Sequence, residues 1–184
     1  PESEISILFS DIRGFTSMSE KLSPTQIVKL LNKYFKSMID VVFKFNGTLD
    51  KIVGDELMVL YGVPLKSKGD TENAVKTAIL MFKSLDKFNE RIVKDGFKPF
   101  KIGIGINKGK AVSGNIGSDQ QMNYTVIGDT INLGARLCSH AKSGQILISN
   151  SVKGVIGDNY DFKKIPTIKV KGKSKPSEVW SYMH

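Results

Sequence analysis

The chain has 184 residues, 40% of them hydrophobic and 24% charged, enough apolar material for one domain's core and too much for a disordered chain. No apolar run approaches the roughly 18 residues a membrane-spanning helix needs. The lone Cys138, with His140 and His184, excludes a disulfide framework, argues against a Cys/His zinc site and fits a cytoplasmic setting.

Lysine plus arginine exceed aspartate plus glutamate by 27 − 18 = 9. An anionic partner such as a nucleotide, nucleic acid or lipid headgroup fits that charge, and so does a solvated lysine-rich surface. The sequence opens at Pro1 without a basic-then-apolar leader, so no signal peptide is expected. Residues 1–184 read as a single domain of a longer chain whose remainder could anchor it to a membrane, with no membrane contact expected inside this segment.

In chain order, Ile5, Ile7 and Phe9 alternate along a strand that ends at Asp11. Ile12-Arg13-Gly14-Phe15-Thr16 breaks the pattern. Ser23-Pro24-Thr25-Gln26 is a capping-box start, and Ile27, Leu30, Leu31, Tyr34, Phe35, Met38, Ile39 and Val42 carry a long helix to Asn46-Gly47. Thr48 to Val53 and Leu57 to Tyr61 flank Gly54-Asp55-Glu56 as a hairpin. Ala74, Val75, Ala78, Ile79, Phe82, Leu85 and Phe88 describe a second amphipathic helix ending by Gly96.

Lys101 to Asn107 alternates isoleucine with glycine or a polar residue, a strand with a bare face that something can approach closely. A glycine-rich stretch from Gly109 to Gly117, an apolar piece at Tyr124 to Ile127 and a short helix near Asp129 to Ala141 follow. Gln145 to Ser149 reads as a strand, and Ile168 to Val170 with Val179 to Tyr182 as a terminal hairpin. Strand, helix, hairpin, helix, strand predicts an α+β fold with a ferredoxin-like, split βαβ core and additions near the C-terminus.

Asp11 at a strand end and Asp55 in a hairpin turn become neighbours if that strand and hairpin pair in one sheet. Two carboxylates without histidine or thiolate suit Mg²⁺ or Mn²⁺, and paired metals commonly handle phosphate oxygens in a displacement. Each aspartate alone is also ordinary turn or strand-end composition. Asn132 and Arg136, at i and i+4 on the short helix, share one face. They suit a sugar and a phosphorane, or a solvated polar stripe. Gly128-Asp129-Thr130 before them reads equally as simple capping.

Phe9-Ser-Asp11-Ile-Arg-Gly-Phe15-Thr16, Lys51-Ile-Val-Gly54-Asp55-Glu56, Tyr124 to Leu137 and Val170-Lys171-Gly-Lys173 together resemble, in order and spacing, the catalytic domain of class III adenylate and guanylate cyclases. The resemblance implies dimers with composite active sites in the groove between two such domains. It implies that Asp11 and Asp55, helped by the backbone carbonyl of Ile12, hold two Mg²⁺ or Mn²⁺ per active site. Phe15, Thr16 and neighbouring backbone then face the phosphates. Lys51 and Thr125 match positions that choose the purine, Asn132 the ribose-orienting asparagine, Arg136 the transition-state arginine and Lys171 a triphosphate-binding lysine. The metal aspartates are then lent by one chain and the remaining groups by the other.

At the base, Lys51 can only donate. That suits the acceptor at adenine N1, with Thr125 accepting from N6, and leaves the guanine N1–H unpaired at a cost of about 1–3 kcal/mol. ATP is the expected substrate and 3′,5′-cyclic AMP with pyrophosphate the expected products, made at a homodimer interface. The resemblance of Thr125 to a bicarbonate-stimulated subgroup adds bicarbonate regulation as an expectation. Ser118 to Asn123 contains no basic residue, where the family often has one for the triphosphate.

Val53-Gly54-Asp55-Glu56-Leu57 also resembles in part the diguanylate cyclase hairpin, which leaves Tyr124 to Arg136 unexplained. An RNA-binding module would need an aromatic platform, and Lys101 to Asn107 offers no ring for a base, so nucleic acid is not an expected partner. A catalytically silent cyclase-like domain would have lost the aspartates or the arginine, which are present.

Overall fold

The computed structural model describes residues 2–118, 121–168 and 177–184. Strand β1 (Glu2–Ile12) sends Ile5, Ile7 and Phe9 to one face of the sheet and Leu8 and Ile12 to the other, where they enter separate hydrophobic clusters. Helix α1 (Phe15–Ser19) follows Gly14, whose φ of 68° suits glycine, and is too short to leave a periodic signal in the sequence.

Helix α2 (Pro24–Lys44) starts as its capping box predicts: the Gln26 N–H donates to Ser23 Oγ at 3.2 Å, and the Ser23 N–H donates to Gln26 Oε1 at 3.0 Å. Its buried stripe is Leu30, Tyr34, Met38, Val41 and Val42, and Asn46 at φ 61° turns the chain out of it. Strands β2 (Thr48–Val53) and β3 (Glu56–Tyr61) form the hairpin around Gly54-Asp55. Helix α3 (Asp70–Lys94) begins before Ala74, with Asp70 and Glu72 in a first turn where negative charge suits the helix dipole.

Strand β4 (Ile102–Ser118) runs well beyond Asn107. The stretch from Gly109 to Gly117 stays extended because β5 (Gln121–Ile127) pairs with it antiparallel, from Val112 opposite Ile127 to Ser118 opposite Gln121. Then follow α4 (Asp129–His140), β6 (Gln145–Ser149), α5 (Asn150–Ile156), β7 (Lys163–Ile168) and β8 (Ser177–Met183). Helix α5 is a further element that no period announces. The terminal hairpin exists but its first strand starts at Lys163, and the expectation for Lys169 and Val170 lies outside the described residues.

The sheet order is β2-β3-β1-β4-β6-β8-β7, with β5 added to β4. Strand β3 lies between β1 and β2 and is antiparallel to both, and β4 is antiparallel to β1 on its other side. This is the predicted split βαβ core, extended by β6 parallel to β4 and by the β7–β8 hairpin. Helices α2, α3 and α5 cover one face around Tyr34, Phe88 and Phe100, whose rings meet with centroids 5.2–5.9 Å apart. Burying each such ring stabilises the fold by about 1.5–3 kcal/mol.

Helix α4 alone occupies the middle of the opposite face, and it is what approaches the bare face of β4. A Cβ on Gly105 would collide with Cys138 N and come within 2.8 Å of the Gly134 carbonyl oxygen, and one on Gly109 would lie 2.5 Å from Thr130 Oγ1.

Candidate active site

Asp11 continues the Ile7–Phe9 alternation, so its side chain emerges on the α4 face of the sheet. The β1–β3 register reaches Ser10 opposite Leu57, which sets the β2–β3 turn, with Asp55, beside the end of β1. Gly54 at φ 62° permits that tight turn. Asp11 Oδ2 lies 3.5 Å from Arg13 Nη1, whereas its buried Oδ1 has no hydrogen-bond partner. Burial, and after it the Asp55 carboxylate, push the Asp11 carboxyl up to about 6 against the opposing pull of Arg13. Glu56 is raised for the same two reasons.

The two aspartates therefore converge as the sequence predicts, in a place short of positive charge. The buried, unsatisfied Oδ1 is a hard oxygen donor beside a second carboxylate, a donor set that fits Mg²⁺ or Mn²⁺. Among the described residues no three His, Cys, Asp or Glu side chains form a closed cage, so the remaining ligands of a bound cation would be main-chain, substrate or water oxygens. The Ile12 side chain is sealed in the helix-side core, which leaves only its main chain for that purpose.

Phe15 likewise packs its partly buried ring against the helix-side core. Its N–H and that of Thr16 precede the first hydrogen bond of α1, from the Met18 N–H to the Gly14 carbonyl, and the Thr16 side chain is exposed.

Lys51 reaches the α4 face through a feature the sequence does not announce. Leu49 pairs with Val59 and Lys51 with Met58, so Asp50 is the extra residue of a β-bulge. Val59 belongs to the helix-side core and Met58 to the α4-side cluster. Without the bulge, Lys51 would stand opposite Leu57 and point under the helices. Its ammonium lies 3.7 Å from Asp50 Oδ2, a buried oxygen without a hydrogen-bond partner.

Asn132 and Arg136 are exposed on the outer side of α4, while Thr130, Gly134, Leu137 and Cys138 are buried beneath them. Thr130 does not cap the helix as expected. Its hydroxyl donates to the Lys110 carbonyl at 2.5 Å, and Asn107 Nδ2 donates to the Thr130 carbonyl at 2.9 Å, which pins the start of α4 to β4. Thr125 stands opposite Gly114 in the β4–β5 register, and Lys171 lies outside the described residues. A groove of about 740 Å³ between α2 and α3, lined by Lys33, Lys36, Lys87 and Arg91 among others, includes none of the candidate residues.

Arg13 is the neighbour that the sequence reading passed over. It lies just past the end of β1, two positions after Asp11, and its charge beside that carboxylate was the available signal. Glu56, next to Asp55, was similarly legible only as part of a turn.

Residues 1–183 match the model of the adenylate and guanylate cyclase catalytic domain. An adenylate cyclase of Anabaena cylindrica is 36% identical over 96% of this chain, which spans 36% of that protein, and adenylate cyclase 1 of Rhizobium meliloti is 31% identical over 96% of the chain and 27% of its own length. The chain thus spans about a third or less of these curated relatives.

Among solved structures, the adenylyl cyclase CyaB from P. aeruginosa superposes with a TM-score of 0.94 at 38% identity, covering 98% of this chain and 94% of that one. The guanylyl cyclase Cya2 superposes with a TM-score of 0.93 at 39% identity, covering 98% and 92%.

Proposed function

The chain belongs to the adenylate and guanylate cyclase catalytic domain family, and we propose that it converts ATP to 3′,5′-cyclic AMP and pyrophosphate as a homodimer with composite sites. The observation that carries this reading is the shared face: Asp11 beside Asp55, Lys51 turned outward by its bulge, and Asn132 with Arg136 exposed on α4. Half-exposed Val112 and Ile127, paired across the β4–β5 ribbon, add apolar surface for a second copy to cover.

Asp11, Asp55 and the Ile12 carbonyl are the groups that would hold two Mg²⁺ or Mn²⁺, which when bound supply positive charge to the triphosphate and acidify the ribose 3′-hydroxyl. From the other chain, Lys51 donates to adenine N1, and Thr125 accepts from N6. Asn132 hydrogen-bonds the ribose and holds the 3′-oxygen in line with the α-phosphorus. The new bond joins the 3′-oxygen to that phosphorus, the bond to the bridging oxygen of the β-phosphate breaks, and pyrophosphate leaves. Arg136 offsets the charge that gathers on the phosphorane, and Lys171 that on the leaving group. The backbone around Phe15 and Thr16 donates to phosphate oxygens. Bicarbonate stimulation through the neighbourhood of Thr125 belongs to the same reading.

The base choice rests on Lys51 offering donors only. Purified domain incubated with ATP or GTP and Mn²⁺, with the product identified, tests both halves of the proposal. Cyclic AMP made faster than cyclic GMP is expected. Preferred cyclic GMP would overturn the base assignment and leave the reaction standing, and cyclic di-GMP would overturn both. Because dimers form by mass action, specific activity is expected to rise with protein concentration.

A further inference from the structure

We propose that Arg13 is a positioning residue that clasps α4, the helix of Asn132 and Arg136, to the strand end that carries Asp11. This rests on the composite-site reading above and goes beyond it. In a two-chain enzyme the clasp joins the acidic end of one site to the nucleotide-reading helix of the other.

The geometry is specific to arginine. Nη1 lies 3.5 Å from Asp11 Oδ2. Nη2 donates to the Cys138 carbonyl in the last turn of α4 and lies 3.9 Å from Cys138 Sγ. The main chain is fixed as well, since the Arg13 N–H donates to the Lys101 carbonyl at 2.6 Å.

Gly103 leaves room for the guanidinium: a Cβ there would lie 2.5 Å from Nη2 and 2.8 Å from Nε. The carbonyls ending a helix carry the negative end of its dipole, so a cation there is favourable. The tie itself runs from the main chain at Lys101 through Nη2 to the Cys138 carbonyl, and the second arm on Asp11 aims the planar fork, which a single ammonium could not match. The clasp also fixes the end of α4 nearest Arg136, while Thr130 fixes its start.

A simpler role, offsetting the charge of Asp11, uses the same contact, and composite sites separate the two. A chain with Asp11→Ala paired with a chain with Arg136→Ala keeps one complete site, whose helix comes from the Asp11→Ala chain. In that chain no Asp11 charge remains to offset, but the arm of Arg13 on the Cys138 carbonyl and its main-chain bond to Lys101 persist. Arg13→Met is then added to that chain only. The clasp predicts a fall in kcat of about ten-fold with the Mn²⁺ concentration for half activity unchanged, and an unchanged kcat would overturn it.

A second readout needs no turnover. Cys138 is 1% exposed beneath the clasp, so its labelling by a thiol reagent reports loosening of the last turn. Arg13→Met should accelerate labelling about ten-fold in otherwise unaltered protein, with Arg13→Lys between the two. Gly103→Ala displaces the guanidinium, keeps its charge and also crowds the Ala141 carbonyl at 3.0 Å, so it should accelerate labelling at least as much as Arg13→Met, and melting curves check that each variant folds. Unchanged labelling in all three would overturn the clasp. If the heterodimer lacking any Arg13 change stays inactive, the composite-site reading has failed instead, and the labelling rates decide the clasp alone.

Discussion

At the acidic end of β1 a single chain already brings the interacting groups together: Asp11 meets Asp55, Glu56 and Arg13, and burial with like charge raises its carboxyl to about 6. On the outward face of α4 and along β2 the picture is reversed. Asn132 and Arg136 are exposed, and Lys51, 46% exposed in its side chain, has one flanking carboxylate at 3.7 Å. One region is assembled and electrostatically tense, the other is displayed and relaxed. On the composite-site proposal the contrast teaches that burial and a perturbed carboxyl mark the half of a site folded inside one subunit, whereas the half addressed to a neighbour looks like plain surface. The groove of about 740 Å³ lies instead between α2 and α3, where no candidate residue stands.

The largest expected effects fall on the tense region. Asp55→Ala should reduce cyclic AMP formation by at least about 10³-fold, since it removes half of the charge available to hold the cations. An Asp55→Ala enzyme with ordinary Mn²⁺-dependent turnover would break the contrast. Next comes the relaxed region. Lys51→Glu replaces the purine-facing donor with an acceptor, and the ATP-over-GTP ratio in kcat/KM should fall by about 10²-fold with the melting temperature nearly unchanged.

A third expectation concerns pH in metal-free protein. Asp11 has its ordinary value of 3.8 in the unfolded chain and about 6 in the fold, raised first by burial and then by Asp55. The folded state therefore holds that proton more tightly, and the stability it contributes is complete below 3.8 and lost as pH rises through about 6. Asp11→Asn should abolish catalysis yet melt higher than the parent in chelator at pH 7.5, with the difference shrinking toward pH 4. Mn²⁺ should raise the parent's melting temperature more above pH 6 than below it.

Two smaller effects sharpen the comparison from outside both regions. Gly105→Ala pushes a Cβ into the backbone of α4 and should cost about 1–3 kcal/mol by chemical denaturation, as overpacking does. Ser23→Ala removes the α2 cap and should cost about 1 kcal/mol with kcat unchanged.

The split βαβ core was legible because its elements announce themselves: period 2 in Ile5-Ile7-Phe9, a capping box at Ser23, helical spacing from Leu30 to Val42. Asp11 and Asp55 were legible as a pair for the same reason, since the topology that places β3 beside β1 also brings the turn to the strand end. Helices α1 and α5 were not, being too short for a period to register. The bare face of β4 announces a close approach and receives α4, because sequence spacing reveals that space exists but not what fills it. The arm of Arg13 on α4 was not legible, because its partner Cys138 is far away in sequence.

The single extra residue at Asp50 makes the outward aim of Lys51 a matter of odd and even. Deleting Asp50 would seat Lys51 directly after Leu49, still opposite Met58 with no bulge needed, and one further inserted residue would likewise let a regular strand aim it outward. Ironing out the bulge with Asp50 kept would instead set Lys51 opposite Leu57 and swing the ammonium beneath the helices. A one-residue change in the length of this strand is therefore less damaging to that aim than an exchange of side chains that regularises the pairing around Asp50.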